Sequence, residues 1–261
     1  MTDWNGRNIV ITGGASGIGK ATAGKFAKLG AKVTIVDRTD PDDGSLDWVK
    51  ADLSDLGSIK GLRLPDQIHA LVNAAGLPPR PGREAELLRV NVFGLRTLTR
   101  HALPRIADGG AIVNMASKAG AKWRENAEQV KRLLVLGPQM LDRFVTEETI
   151  DPVRAYDLSK EAVVVWTKAM VDELRARSIR INAVSPAAVD TPILGDFMEA
   201  FGERASRGVA IAGRAGRPEE IAEVILFLAS DEASWVSGCN IECDGGLTAT
   251  LDARALSVTA G

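Results

Sequence analysis

A short apolar, β-branched run, Asn8-Ile9-Val10-Ile11-Thr12, passes straight into Gly13-Gly14-Ala15-Ser16-Gly17-Ile18-Gly19 and then into apolar residues at helical spacing from Lys20 to Leu29. This order constrains the chain more than anything else in it. A continuous β-branched run suits a strand buried on both faces of a parallel sheet. The glycines allow a sharp turn and close approach to an anion, and the following helix presents unpaired N–H groups and the positive end of its dipole. Gly30 ends that helix and Ala31 to Val36 reads as a second strand, closing a βαβ unit. The alternation continues with strands at 70–73, 111–115, 180–184 and 239–243, and helices over 85–103, 157–177 and 218–229. Strands alternating with helices of this length predict an α/β architecture: one Rossmann-fold domain over residues 1–261, a doubly wound parallel sheet with helices on both faces.

Two stretches interrupt the pattern. Residues 118–154 carry two apolar stripes, Ala127, Val130, Leu133 and Leu134, then Met140, Leu141, Phe144 and Val145, which predict a helical insertion of two short helices. Residues 193–213 carry Ile193, Leu194, Phe197, Met198 and Phe201 beyond a strand end, where ligands bind in open α/β sheets, and are expected to form a substrate lid. The segment 247–261 is a C-terminal tail, left open between reaching a neighbouring subunit and fraying.

The formal net charge of −2 argues against an electrostatically driven nucleic-acid or membrane partner. No apolar run approaches the roughly 20 residues of a membrane span. Met1 to Arg7 leads into the first strand without an apolar signal segment, and Cys239 and Cys243 are the only cysteines. Four apart in a strand-like stretch, they are too distant for a comfortable disulfide, and read as reduced core or interface residues of a cytoplasmic protein. His69 and His101 stand apart from every motif and lack the partners of a metal site, so no metal is expected.

The strand–turn–helix context makes Gly13, Ser16, Gly17, Ile18 and Gly19 a dinucleotide cradle. Asp37 closes the second strand 18 residues after Gly19. A carboxylate there accepts hydrogen bonds from an adenosine ribose and repels a 2′-phosphate, so NAD is favoured over NADP. Arg38 beside it keeps open an alternative, an NADPH-dependent carbonyl reductase. Asp52-Leu53 and Asn73-Ala74-Ala75-Gly76 follow later strand-like segments, where the adenine and its ribose would lie.

The only tyrosine, Tyr156, is followed four residues later by Lys160. On a helix the two share a face, and a nearby positive charge favours phenolate over phenol, making a general base usable near neutral pH. The ordered set Thr12–Gly19, Asp52-Leu53, Asn73–Gly76, Asn91, Ser117, Tyr156 with Lys160, Asn182 and Pro186 to Pro192 resembles the short-chain dehydrogenase/reductase family over essentially the whole chain. The resemblance implies a catalytic tetrad of Asn91, Ser117, Tyr156 and Lys160, and cofactor contacts from Tyr156, Lys160, Pro186, Val189 and Thr191. It also implies a homo-oligomer, dimer or tetramer, although the insertion could cover the usual interface. Three departures stand out: Ala187 where the family usually has glycine, Ala74 where it has a second asparagine, and a 39-residue separation of Ser117 from Tyr156 that is far longer than in most members. The long separation resembles a bacterial branch that includes 3α-hydroxysteroid dehydrogenase/carbonyl reductase and coniferyl alcohol dehydrogenase.

By that resemblance the reaction is hydride transfer between nicotinamide and an alcohol or its ketone or aldehyde. Tyr156 would act as base, Lys160 would hold ribose hydroxyls, Ser117 would bind the substrate oxygen, and Asn91 would hold a water. Phe197, Met198, Phe201 and Trp123 suit a flat hydrophobic substrate, aromatic, allylic or steroid-like. Arg124, Lys131 and Arg132 read as a solvated helix face rather than a site for an acidic group. A reading from another class, a dinucleotide-sensing protein without chemistry, is disfavoured because both Tyr156 and Lys160 are kept.

Overall fold

The computed structural model describes residues 2–41 and 44–257. Its strands are β1 (Asn8–Thr12), β2 (Lys32–Asp37), β3 (Asp47–Lys50), β4 (Ile68–Asn73), β5 (Ile106–Met115), β6 (Arg180–Pro186) and β7 (Asn240–Cys243). All pair in parallel, in the order β3-β2-β1-β4-β5-β6-β7. The strand order therefore reverses between β1 and β4, the switch point at which open α/β sheets bind ligands. The helices are α1 (Gly17–Lys28), α2 (Leu56–Ile59), α3 (Glu84–Leu88), α4 (Leu95–Ala102), α5 (Ala127–Val135), α6 (Leu141–Glu147) and α7 (Pro152–Ala169). Beyond these lie α8 (Val171–Arg175), α9 (Leu194–Phe201), α10 (Glu203–Ala212), α11 (Pro218–Ala229) and α12 (Leu247–Ala255).

In β1, Ile9 and Ile11 join the core on one face of the sheet, with Phe26 of α1 and Ile225 and Leu228 of α11. Val10 joins the core on the other face, with Leu98 of α4 and Val163 and Val164 of α7. Side chains alternate across a strand, so a continuous apolar run is what a strand between two helical layers requires. Each such fully buried side chain contributes roughly 1.5–3 kcal/mol. The doubly wound, single-domain Rossmann architecture read from the sequence is the one observed.

The differences have local causes. β3 was not anticipated; Asp47-Trp48-Val49-Lys50 is short, charged at both ends and pairs only with β2, so it lacks the apolar run of an inner strand. The expected helix over 85–103 is interrupted by a π-helical stretch, Arg89–Gly94. The expected helix from Asp157 begins earlier, because Asp151 caps it by accepting from the Arg154 N–H at 2.7 Å and Pro152 fills the first turn. The insertion forms α5 and α6, whose Val130, Leu133, Leu141 and Phe144 build a third core with Leu158 and Ala162 of α7. Cys239 is exposed and Cys243 half-buried, both free, so neither belongs to the fully buried core. Of the tail, residues 247–255 are α12, while 258–261 lie outside the described residues. No helix among the described residues is long and apolar enough to cross a membrane.

Candidate active site

A cavity of about 1230 Å³ opens along the C-terminal ends of the strands. That exceeds the roughly 300–1,000 Å³ of an ordinary small-ligand pocket, leaving room for an extended ligand and a second molecule. Its floor at the switch point is the turn between β1 and α1. Gly13 sits at φ +70°, and a Cβ there would fall 2.6 Å from the Ala75 Cα. A Cβ on Gly19 would fall 2.1 Å from the Gly13 carbonyl oxygen. Only glycine lets the turn fold this tightly beneath the helix. Ser16, the N-cap of α1, makes no side-chain capping bond, and the first turn holds no acid. Ser16, Gly17, Ile18 and Gly19 line the cavity, so this helix end is free to receive an anion, as a dinucleotide pyrophosphate requires.

Further along, the Asp37 carboxylate is held at the end of β2. Its Oδ2 accepts from the Ala15 N–H at 3.1 Å and its Oδ1 from the Thr39 N–H at 3.0 Å. Asp52 accepts from the Ser54 N–H at 2.8 Å, a bond that holds its carboxyl below the usual range. Asp37, Asp52, Leu53, Ala74, Ala75 and Gly76 all line the cavity. Asn73 does not. It is buried at 1% exposure, and its Nδ2 donates to Thr99 Oγ1 at 2.9 Å and Asn114 Oδ1 at 2.8 Å. Asn114 in turn donates to Thr167 Oγ1 at 2.9 Å. The Asn73 side chain therefore ties β4 to α4 and β5 instead of reaching the ligand space.

At the other end, Ser117 follows β5 and caps the 3₁₀ turn Lys118–Lys122, its Oγ accepting from the Ala119 N–H at 3.2 Å. A Cβ on Gly120 would meet the Lys160 carbonyl oxygen at 2.8 Å, so this turn packs directly on the α7 backbone and fixes Ser117 relative to Tyr156. Lys160 Nζ donates to the Met115 carbonyl at 2.9 Å and lies 5.5 Å from the centre of the Tyr156 ring. Burial pulls the Lys160 ammonium down to about 8. Burial also raises Tyr156 well above its usual value; the Ser117 hydroxyl beside the phenol opposes the rise and Asp157 adds to it. The expected lowering by Lys160 is thus not a property of the chain alone, because loss of solvent outweighs the favourable contacts.

Asn91 sits in the π-helical stretch at 1% exposure, behind the cavity wall. Its Oδ1 accepts from the Leu77 N–H at 2.7 Å, and its Nδ2 donates to the Leu77 carbonyl and to Ser159 Oγ, each at 3.2 Å. Gly76 lies between Asn91 and Lys160: a Cβ on Gly76 would be 3.3 Å from Asn91 Oδ1 and 3.6 Å from Lys160 Nζ. Ser117, Tyr156, Lys160, Pro186, Ala187, Val189 and Thr191 all line the cavity.

Phe197 and Phe201 also line it, meeting the Tyr156 ring edge-on at 5.0 and 5.9 Å between centroids. Met198 and Trp123 do not; Trp123 stacks with Arg124 at 4.3 Å, away from the site. Lys131 pairs with Glu128 and Arg132 with Glu148, consistent with a solvated face. His69 accepts from the Asn8 N–H, and no metal-binding cluster exists among the described residues. The sequence reading missed the Met115 carbonyl, a backbone atom with no side-chain signature. It also missed Asp157 and Arg204, which pair at 2.8 Å beside the tyrosine. An acid adjacent to the lone tyrosine was the available signal.

Comparison with known proteins agrees with this geometry. The short chain dehydrogenase family model matches residues 7–128, and one described as enoyl-(acyl carrier protein) reductase matches residues 140–248. Coniferyl-alcohol dehydrogenase from a Pseudomonas species is 38% identical over 251 residues, covering 94% of this chain and 97% of that protein. Cis-4-hydroxycyclohexanecarboxylate dehydrogenase of Sinomonas cyclohexanicum is 32% identical, covering 93% and 97%. A 3-alpha-hydroxysteroid dehydrogenase from Pseudomonas sp., solved with NADH, superimposes with a TM-score of 0.82 at 31% identity, covering 95% and 99% of the two chains. With family models matching along most of its length and relatives covered nearly end to end, the chain belongs to the short-chain dehydrogenase/reductase family.

Proposed function

We propose that the protein is an NAD-dependent dehydrogenase acting on a hydrophobic aromatic, allylic or steroid-like alcohol, and on the corresponding carbonyl in reverse. The observation that carries this reading is the placement of Ser117, Tyr156 and Lys160 together on the wall of a cavity whose other end is the α1 cradle. The cradle and Asp37 fit a dinucleotide with a free ribose 2′-hydroxyl, since the Asp37 carboxylate would repel a phosphate there. When bound, the oxidised nicotinamide supplies a hydride acceptor and a positive charge.

The chain supplies the rest. Ser117 Oγ donates a hydrogen bond to the substrate oxygen and stabilises charge developing on it. The Tyr156 phenolate takes up the alcohol proton and becomes the phenol, and Lys160 keeps a cation beside it that favours the anionic form. Asn91 fixes the Leu77 backbone behind Gly76 and so shapes the wall next to Lys160. Phe197 and Phe201 set an apolar roof over the phenol, which suits a flat aromatic or alicyclic body. The names of the relatives, coniferyl-alcohol, hydroxysteroid and hydroxycyclohexanecarboxylate dehydrogenases, all describe ring-bearing alcohols.

The test is reduced-nicotinamide absorbance with NAD or NADP against coniferyl alcohol, other aryl and allylic alcohols, 3α-hydroxysteroids and cyclic alcohols. NADH formation from one class, lost in Tyr156→Phe, is the expected outcome. Turnover that survives Tyr156→Phe, or that requires NADP, refutes the corresponding part.

A further inference from the structure

The lid over Tyr156, α9 and α10, rests on α7 and α12. Neither α9 nor α10 contributes a fully buried residue. Besides the two phenylalanine rings, an ion pair pins each helix. Arg80 forks onto Asp196 of α9, with Nε–Oδ1 at 3.1 Å and Nη2–Oδ2 at 2.9 Å. Arg204 of α10 donates from Nη1 to Asp157 Oδ2 at 2.8 Å. Asp157 directly follows Tyr156, so the second pin ends one residue from the phenol. The Asp157 carboxylate is mostly buried, at 17% side-chain exposure, and its Oδ1 is enclosed with no partner among the described residues.

The other charges facing Asp157 are Arg154 and Glu161, on its own helix. These two are engaged with each other, Arg154 Nη2 lying 2.6 Å from Glu161 Oε2. Arg204 is therefore the cation that touches Asp157, and it arrives only with the lid. Facing the phenol are Ser117, Asp157 and Lys160.

We propose that Asp157 and Arg204 form a latch through which the position of the lid sets the charge beside Tyr156. With the lid down, Arg204 compensates the carboxylate; with the lid up, a bare carboxylate remains next to the phenol. A like charge opposes formation of phenolate. Proton transfer to Tyr156 is then favoured when the substrate is covered and suppressed when the site is open to water. Asp157 and Arg204 are positioning residues acting through Tyr156, and the inference rests on Tyr156 as proton acceptor. Burial holds the Asp157 carboxyl above its usual range while Arg204 opposes it, consistent with a carboxylate that depends on the lid for its partner.

The chain has one tyrosine, so isotope-labelled tyrosine gives a single set of NMR signals that report the phenol directly. In the wild type those signals are expected to be displaced by the Phe197 and Phe201 rings, which meet the phenol edge-on. Arg204→Gln and Asp157→Asn are both expected to move them towards free tyrosine, and Arg204→Lys to restore them. In the pH profile of kcat for the alcohol that the panel identifies, Arg204→Gln raises the ascending limb by about one unit. The double variant follows Asp157→Asn, since the arginine then has no carboxylate to offset. Tyrosine signals and profiles of Arg204→Gln that coincide with wild type, while Tyr156→Phe is inactive, overturn the latch alone. An Arg204→Gln effect that persists undiminished in the Asp157→Asn background also overturns it. An active Tyr156→Phe overturns the proton-acceptor reading and the latch with it.

Discussion

Lys160→Met is expected to make the protein more stable while abolishing turnover. Lys160 is 4% exposed, and its one side-chain hydrogen bond among the described residues, to the Met115 carbonyl at 2.9 Å, leaves most of the donor capacity of an ammonium unused. Lowering a lysine from 10.5 to about 8 corresponds to about 3 kcal/mol of disfavour for the charged form. Methionine has a similar reach and no charge, but it leaves the Met115 carbonyl without its partner, a loss of about 1–2 kcal/mol. The net expectation is a gain of about 1–2 kcal/mol at pH values where Lys160 is fully charged. The sign of the pH dependence follows from linkage. Because the folded pKa is below the unfolded one, the unfolded chain binds more protons between about 8 and 10.5, and the Lys160 penalty fades as pH rises through that window. Urea unfolding of both proteins at one fixed concentration, across that window, isolates the effect, since every other titrating group is common to the two. The advantage of Lys160→Met should be largest below pH 8 and shrink towards 10.5. A variant less stable than wild type, with a difference that does not change with pH, would refute the reasoning.

Gly19→Ala forces a Cβ to within 2.1 Å of the Gly13 carbonyl, so the turn must open; dinucleotide affinity measured by calorimetry should fall at least about tenfold, or about 1.4 kcal/mol. Asp37→Ser removes the carboxylate at the ribose end while Arg38 remains. Two like charges a few ångströms apart near a protein surface repel by a few kcal/mol, so the ratio of kcat/KM for NADP over NAD should rise at least about tenfold. Arg154→Met leaves Glu161 buried without its cation, which is expected to destabilise the protein by about 2–4 kcal/mol, read as a lower Tm.

The sheet was legible because inner strands such as β1 and β2 carry runs of β-branched residues and the longer helices an apolar stripe; β3 was not, being a four-residue edge with charges at both ends. The glycine turn was legible because no residue with a Cβ could replace Gly13 or Gly19 there. Asn73 shows the opposite case. Its place beside Ala74 and Gly76 suggested a ligand contact, but alternation along β4 points its side chain into the protein, where Thr99 and Asn114 receive it. The π-helical stretch at Asn91 and the grip of the Met115 carbonyl on Lys160 depend on backbone geometry that no residue pattern encodes. For Tyr156 the same holds: spacing brings a lysine close, but only the fold shows how little water reaches either group.

Helix α7 carries two consecutive buried charges that are treated in opposite ways. Lys160 faces the cavity with one acceptor. Glu161 is 0% exposed and saturated: Arg154 Nη1 and Nη2 donate to it at 3.1 and 2.6 Å, and Asn126 Nδ2 at 2.7 Å. Arg154 in turn donates to Gln129 Oε1 at 2.8 Å. Asn126 and Gln129 belong to the insertion, so this network fastens the insertion to α7. A buried ion pair adds little net stability against an apolar pair of the same shape, because desolvation offsets the attraction. Its value here is angular. Rotating α7 to relieve Lys160 would break the bonds of Glu161, and the breaking of a buried pair costs more than the relief returns. The long insertion between Ser117 and Tyr156 thereby holds in place a lysine that a free helix would turn towards water, with its spare donors available to a ligand entering the cavity.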